Sequence, residues 1–219
     1  MSSLIFHIDQ DQAFVATDTL ATSFKGEPIM FTTKAFAIPH LKMIICGTGV
    51  GGFLGRWFIK INDEMVVKGV DNLNFHAPEK LRNLWASYKE ETSFPEYLTT
   101  TVYHFGFSET DKTMHAYAYR SERDFVSEAL GIGVGVKPEC KLPEKHEFPT
   151  DIIKMMDEQR YIQAKKSENE RVYIGGERII HHITKEGIVI YSLGKFDDFE
   201  TTENDIYKDY EKKVSSNSY

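Results

Sequence analysis

Only two of the 219 residues are cysteine, Cys46 and Cys140, and only seven are proline, so neither a disulfide framework nor a proline-rich extended scaffold can organise the chain. Neither cysteine belongs to a C-x-x-C pair or to a His/Cys cluster with zinc-ligand spacing. A reduced, cytoplasmic setting without metal or other cofactor is expected. Long apolar runs are missing as well. Residues 1–9 lack a basic segment, and His7 and Asp9 interrupt their apolar run, which reads as neither a signal peptide nor a membrane span. Positive charge is not in excess: 26 Lys and Arg stand against 33 Asp and Glu, for a net charge of −7. With no basic segment lying beside exposed aromatics, neither nucleic acid nor a membrane is expected as a partner.

What is present suits a folded globule: 41% hydrophobic residues, 13% aromatic and 27% charged support one domain with a large core rather than a disordered or coiled-coil chain. The domain is expected over residues 1–196. Residues 197–219 read as a charged tail whose apolar content is too low to pack firmly. Residues 3–8 and 13–17 are apolar and β-branched around the polar turn 9–12, which predicts an opening hairpin. A strand over 29–38 and another over 42–46 continue an antiparallel meander. The period then changes: Phe53, Trp57, Phe58, Ile61 and Met65 recur at helical spacing, as do Leu81, Leu84, Trp85 and Tyr88 after a start at Ala77-Pro78-Glu79. Alternation returns over 99–107, 113–120 and 125–136. A polar loop over 137–149, a helix from about Thr150 and a closing hairpin (178–184 and 187–193) complete the pattern. This order predicts a layered α+β domain in which stacked antiparallel sheets are covered by outer helices.

Two patterns suggest chemistry that their context disfavours. Gly47-Thr48-Gly49-Val50-Gly51-Gly52 fits G-x-G-x-x-G, but the preceding strands read as an antiparallel meander, and no strand ending in an acidic residue follows at the distance a dinucleotide site requires. His181-His182 could suggest a metal, but neighbours on a strand point to opposite faces.

Three segments carry a resemblance: residues 14–18 with Ala21-Thr22 beyond them, residues 45–49, and Val172-Tyr173-Ile174-Gly175-Gly176 followed by 180–187. In this order they resemble the proteasome β subunit and the HslV-type protease of the N-terminal nucleophile hydrolases, over nearly the whole chain to about Leu193. The resemblance implies a four-layer αββα sandwich. Asp18 follows Ser2 by 16 positions (18 − 2) and Lys34 follows Asp18 by 16 (34 − 18), the intervals that separate the family's N-terminal threonine, aspartate and lysine. Ser2 thus falls on the nucleophile position and becomes terminal if Met1 is removed. By the resemblance, the freed α-amine is the base, Lys34 lowers its pKa, Asp18 orients Lys34, and Gly49 offers an N–H to the oxyanion. Matched pocket positions carry the small residues Ala21, Thr32 and Gly47, which implies a roomy first pocket.

The chain also departs from the family. Two serines that buttress the proteasome site fall on Val134 and Ile174, and the accompanying aspartate falls on Arg171. The helix that ordinarily follows the Gly-x-Gly segment is replaced by the loop over 137–149. Two readings stand: a Ser2-dependent hydrolase of peptide or amide bonds, or a catalytically silent scaffold subunit. Either implies a homo-oligomer, as a ring or an open assembly, and leaves open an unfoldase or adaptor.

Overall fold

The computed structural model describes residues 2–23, 25–142 and 147–216. Strands β1 (Leu4–Ile8) and β2 (Gln12–Asp18) form the opening hairpin. Asp9 closes its turn by accepting the N–H groups of Asp11 and Gln12 and the Gln12 amide, the local bonding that favours Asp at turns. The chain then runs through a small ribbon, β3 (Leu20–Thr22) with β4 (Pro28–Phe31), before β5 (Ala35–Ile38) and β6 (Met43–Gly49). The single strand expected over 29–38 is therefore two strands in two different sheets. The break falls at Thr32-Thr33-Lys34, where the chain changes sheets and the Lys34 side chain turns toward a buried carboxylate.

Two helices follow. Helix α1 (Phe53–Ile59) relaxes into a π-helical turn (Lys60–Glu64), and α2 spans Val70–Thr92. The start expected at Ala77-Pro78 is two turns late, since Pro78 lies inside α2. Proline removes one N–H from the helix ladder, but two N–H groups at the true start, those of Asp71 and Asn72, are accepted by the Glu109 carboxylate from a distant turn. Such a cap cannot be read locally.

Strands β7 (Thr100–Phe107), β8 (Met114–Arg120) and β9 (Ser127–Leu130) extend the sheet begun by β5 and β6, in the order β5-β6-β7-β8-β9. The alternation over 125–136 again hides a change of sheet, because β10 (Gly133–Lys137) pairs with β1 instead. After α3 (Thr150–Ala164), the closing hairpin of β11 (Glu177–Thr184) and β12 (Ile188–Lys195) completes a second sheet, β10-β1-β2-β11-β12. Every pairing in both five-stranded sheets is antiparallel.

The apolar side chains separate into three clusters. One holds Ile45 and Val102 of the first sheet with Phe53 and Trp57 of α1 and Leu81 and Trp85 of α2. A second joins both sheets, with Leu4, Val15 and Ile183 meeting Ile44, Cys46 and Phe105. In the third, Ile5, Ala16 and Ile180 lie against Ile152, Met155 and Met156 of α3. The strands alternate accordingly, Leu4 and Ile5 or Ile44 and Ile45 serving opposite faces. Residues 199–216, within the stretch read as a charged tail, form helix α4 (Phe199–Ser216). Buried Phe196 and Phe199 anchor its start, and Phe199 stacks on Phe31 with 4.7 Å between ring centroids. Average composition conceals apolar residues concentrated at one helix end. Among the described residues no helix is long and apolar enough to cross a membrane.

Two histidines lie inside these cores. His104 is fully buried and accepts the Trp57 indole N–H at 2.8 Å, while His181 is buried on β11. Burial pushes the pKa of His104 down to about 3 and that of His181 down to about 4. Both are neutral in the fold and take up protons when it opens. Their contribution is therefore complete above the ordinary histidine value near ~6.5 and is lost as the pH falls from there toward 4. Urea unfolding between pH 7.5 and 4.5 is expected to show a loss approaching ~1.4 kcal/mol per pH unit for each histidine, and a His104→Phe variant a shallower slope. A stability that does not change over this range would contradict the assignment.

Candidate active site

Asp18, at the end of β2, is 0% exposed. Its Oδ1 accepts the Ser3 backbone N–H at 2.9 Å and the Lys34 ammonium at 2.8 Å, and its Oδ2 accepts the Gly175 N–H at 3.2 Å. Lys34, 8% exposed, donates also to the Leu20 carbonyl. A charge this far from water needs a partner and filled hydrogen-bond sites. Here the donors come from the chain start, the ribbon-to-β5 crossing and the segment before β11. Ser2 is itself buried and is one peptide bond from the N–H that Asp18 accepts. Ser2, Asp18 and Lys34, 32 positions apart end to end (34 − 2), thus belong to one cluster. Met1, whose removal the sequence reading requires, lies outside the described residues.

The end of β6 borders the same cluster. Gly47 donates its N–H to the Lys34 carbonyl at 3.4 Å. Gly49 has φ +108°, and a Cβ there would meet the Thr99 carbonyl oxygen at 2.2 Å, so both conformation and space demand glycine. Between them Thr48 is buried, and its hydroxyl has no partner among the described residues. Of the expected pocket residues, Thr32 lines a cavity of about 230 Å³ with Thr19, Phe31, Thr33, Glu177 and Phe199. Ala21, opposite Met30 in the ribbon, and Gly47 do not line it.

Gly175 and Gly176 explain the Val172–Gly176 segment physically. The Gly175 carbonyl accepts the N–H groups of Thr19 and Leu20 while its own N–H goes to Asp18. Gly176, at φ +81°, has the Thr19 hydroxyl 2.2 Å from where a Cβ would stand. A larger residue at Gly176 would collide with Thr19 and Phe31.

Sequence reasoning missed the support from α3. Gln159 is fully buried, accepts the Ser3 hydroxyl at its Oε1 and donates from Nε2 to the Pro138 carbonyl. One turn on, Gln163 accepts the Val172 N–H at 3.0 Å. The signal was available: Ile152, Met155, Met156, Gln159 and Gln163 share one helical face, and glutamines in an apolar stripe mark buried hydrogen-bonding groups. Lys137, half-buried, reaches from β10 to the Thr101 hydroxyl at 3.2 Å. Burial, reinforced by nearby Arg120, pushes its pKa below the usual lysine range.

The register also corrects one placement. Val134 stands opposite His7, and Lys137 opposite Leu4. Pro138 and the residues after it, not Val134, therefore continue beside the chain start. Val134 and Ile174 both pack in the cluster against α3. Arg171 donates to the carbonyls of Ala164 and Lys166 near the end of α3. In the glycine-rich stretch from Gly47, β6 lies between antiparallel β5 and β7, without the parallel strand of a dinucleotide fold. His181 is buried, whereas His182 stacks on Phe14 at 4.0 Å and meets Gln12 at 2.8 Å.

Removing one partner from the Asp18–Lys34 pair strands a buried charge. Lys34→Met is expected to cost about 3–5 kcal/mol in urea unfolding, and adding Asp18→Asn to cost less than the sum of the two single changes. A single-variant loss below ~1 kcal/mol, as for an exposed pair, would show that the pair is not buried as described. No protein-family model and no curated protein matches this chain.

Proposed function

We propose that this chain is a proteasome-like, HslV-type N-terminal nucleophile hydrolase with a four-layer αββα sandwich, cleaving peptide or other amide bonds through an acyl-enzyme on Ser2. The observation that carries the reading is the Asp18 carboxylate, which gathers the Ser3 N–H, the Lys34 ammonium and the Gly175 N–H in one buried site. Three core clusters, one between the sheets and one on each outer face, support the layer order.

Once Met1 is removed, the α-amine of Ser2 takes the hydroxyl proton, directly or through water, as Oγ attacks the substrate carbonyl. The Lys34 ammonium disfavours a second positive charge and so keeps the amine a free base near neutral pH. Asp18 holds Lys34 in place. The Gly49 N–H stabilises the oxyanion, and the amine returns its proton to the departing amide nitrogen. Water, activated by the same amine, then cleaves the ester and restores Ser2. The residues call for no cofactor, and we assign the protein to a homo-oligomer.

A second reading, a silent scaffold subunit, is favoured by Ile174, which supplies no hydroxyl where the resemblance implies one and packs in the core against α3. Labelling separates the two. Intact-mass spectrometry of protein taken from its own cells is expected to show Met1 missing, with one adduct on Ser2 after treatment with a β-lactone. Ser2→Ala is expected to take no adduct, and Lys34→Ala, if folded by circular dichroism, to react about 10²–10⁴-fold more slowly. Retained Met1, or labelling that survives Ser2→Ala, would overturn the hydrolase.

A further inference from the structure

We infer that Lys137, with the hydroxyls of Thr101 and Thr48, binds a carboxylate on the amine side of the substrate, so that the site favours peptides with an acidic group just beyond the bond that is cut. The inference rests on the hydrolase reading above and names its substrate class. Topology fixes the place. Strand β1 lies between β2 and β10, so the chain start has Asp18 and Lys34 on one flank and the end of β10 on the other. Lys137 stands opposite Leu4, and the next carbonyl, that of Pro138, is joined through Gln159 to the Ser3 hydroxyl. The cavity lined by Thr32 lies on the Asp18 flank, with Thr19 just after β2 and Glu177 at the start of β11. With that cavity taking the acyl side of the substrate, the amine side falls toward Lys137.

Lys137 faces the space between the sheets. Val134 and Val136 pack toward α3, and strand alternation turns Lys137 the other way, where Leu4 beside it belongs to the cluster that joins both sheets. From there its ammonium crosses to the first sheet and donates to the Thr101 hydroxyl at 3.2 Å. Thr101 pairs with Thr48 of β6, and each is two residues from a member of the same cluster, Tyr103 and Cys46. An ammonium and two hydroxyls, all able to donate, are thus gathered beside the chain start and next to Gly49.

Two independent observations point to an anionic ligand. The Thr48 hydroxyl is 4% exposed and has no partner among the described residues, an arrangement that buried polar groups ordinarily avoid. Lys137 makes no ion pair among the described residues. Arg120, across from Thr101, is held by Glu128 at 3.0 Å, and Glu128 also meets Arg123 at 3.6 Å, while Glu122, exposed, acts on Lys137 only through space. Burial and Arg120 both disfavour the Lys137 ammonium, and a carboxylate bound against it reverses that balance. Its two oxygens accept from several donors at once, as this set requires. Because Lys137 is only half-buried, its ammonium can be reached from solvent.

Isothermal calorimetry with tetra-alanine tests the site in the full chain carrying Ser2→Ala, which has no nucleophile to cleave the peptide. The free acid is expected to bind at least about tenfold more tightly than its C-terminal amide. Adding Lys137→Gln, which keeps a donor for Thr101, is expected to equalise acid and amide; Lys137→Arg is expected to keep the preference, and Thr48→Val to weaken it about threefold without loss of stability in urea. Ala-Ala-Glu-Ala amide, compared with its glutamine analogue, distinguishes a side-chain carboxylate from a terminal one, and a preference in either pair supports the site. Equal affinities within both pairs, or a preference that survives Lys137→Gln, would overturn the inference. Mass spectrometry of the same peptides after incubation with the wild-type chain separates it from the reaction: cleavage without a carboxylate preference removes this inference and leaves the hydrolase, whereas a preference without cleavage leaves the carboxylate site on a silent subunit.

Discussion

A carboxylate with no access to water cannot be satisfied by one neighbour, and much of the geometry around the chain start follows from meeting the needs of Asp18. Its two oxygens accept from Ser3, Lys34 and Gly175, residues brought together only when the opening hairpin, the ribbon and the segment before β11 have all taken their places. The break between β4 and β5 occurs where Lys34 turns inward. At Gly176 the left-handed backbone and the Thr19 hydroxyl, 2.2 Å from where a Cβ would stand, leave no room for a side chain. Stability and site geometry are therefore coupled: a change that frees Asp18 also releases the start of the chain.

Helix α3 supplies the other constraint. Its apolar face packs on the sheet while Gln159 ties the Ser3 hydroxyl to the Pro138 carbonyl and Gln163 holds Val172. Amides from a helix thus steady the chain start. The chain start is thus held by the Asp18 carboxylate through the Ser3 N–H and by Gln159 through the Ser3 hydroxyl.

The sequence exposed what is periodic and local. Alternation located most strands, helical spacing found α1 and the second half of α2, and the two 16-residue intervals pointed to residues that the fold joins. Contacts made by distant partners stayed hidden. The start of α2 depends on Glu109, 38 positions beyond Asp71, and the strand breaks at Thr32–Lys34 and at Gly131-Ile132 are changes of sheet that a continuous apolar pattern conceals. The helix over Phe199–Ser216 was masked by average composition, although Phe196 and Phe199 are enough to seat its start. Gln159 was legible in principle, as a polar residue at an apolar position. The register of β10 with β1 was not, and it moved Val134 away from the chain start.

The central claim is that the buried Lys34, fixed by Asp18, keeps the α-amine beside the Ser2 hydroxyl unprotonated. The most direct measurement is an NMR titration of that amine, ¹⁵N-labelled, in protein lacking Met1. The account predicts a pKa below the ~7.7–8.0 of an ordinary α-amine that rises when Lys34 is replaced by glutamine. A value at or above the ordinary range, unmoved by that replacement, would contradict it.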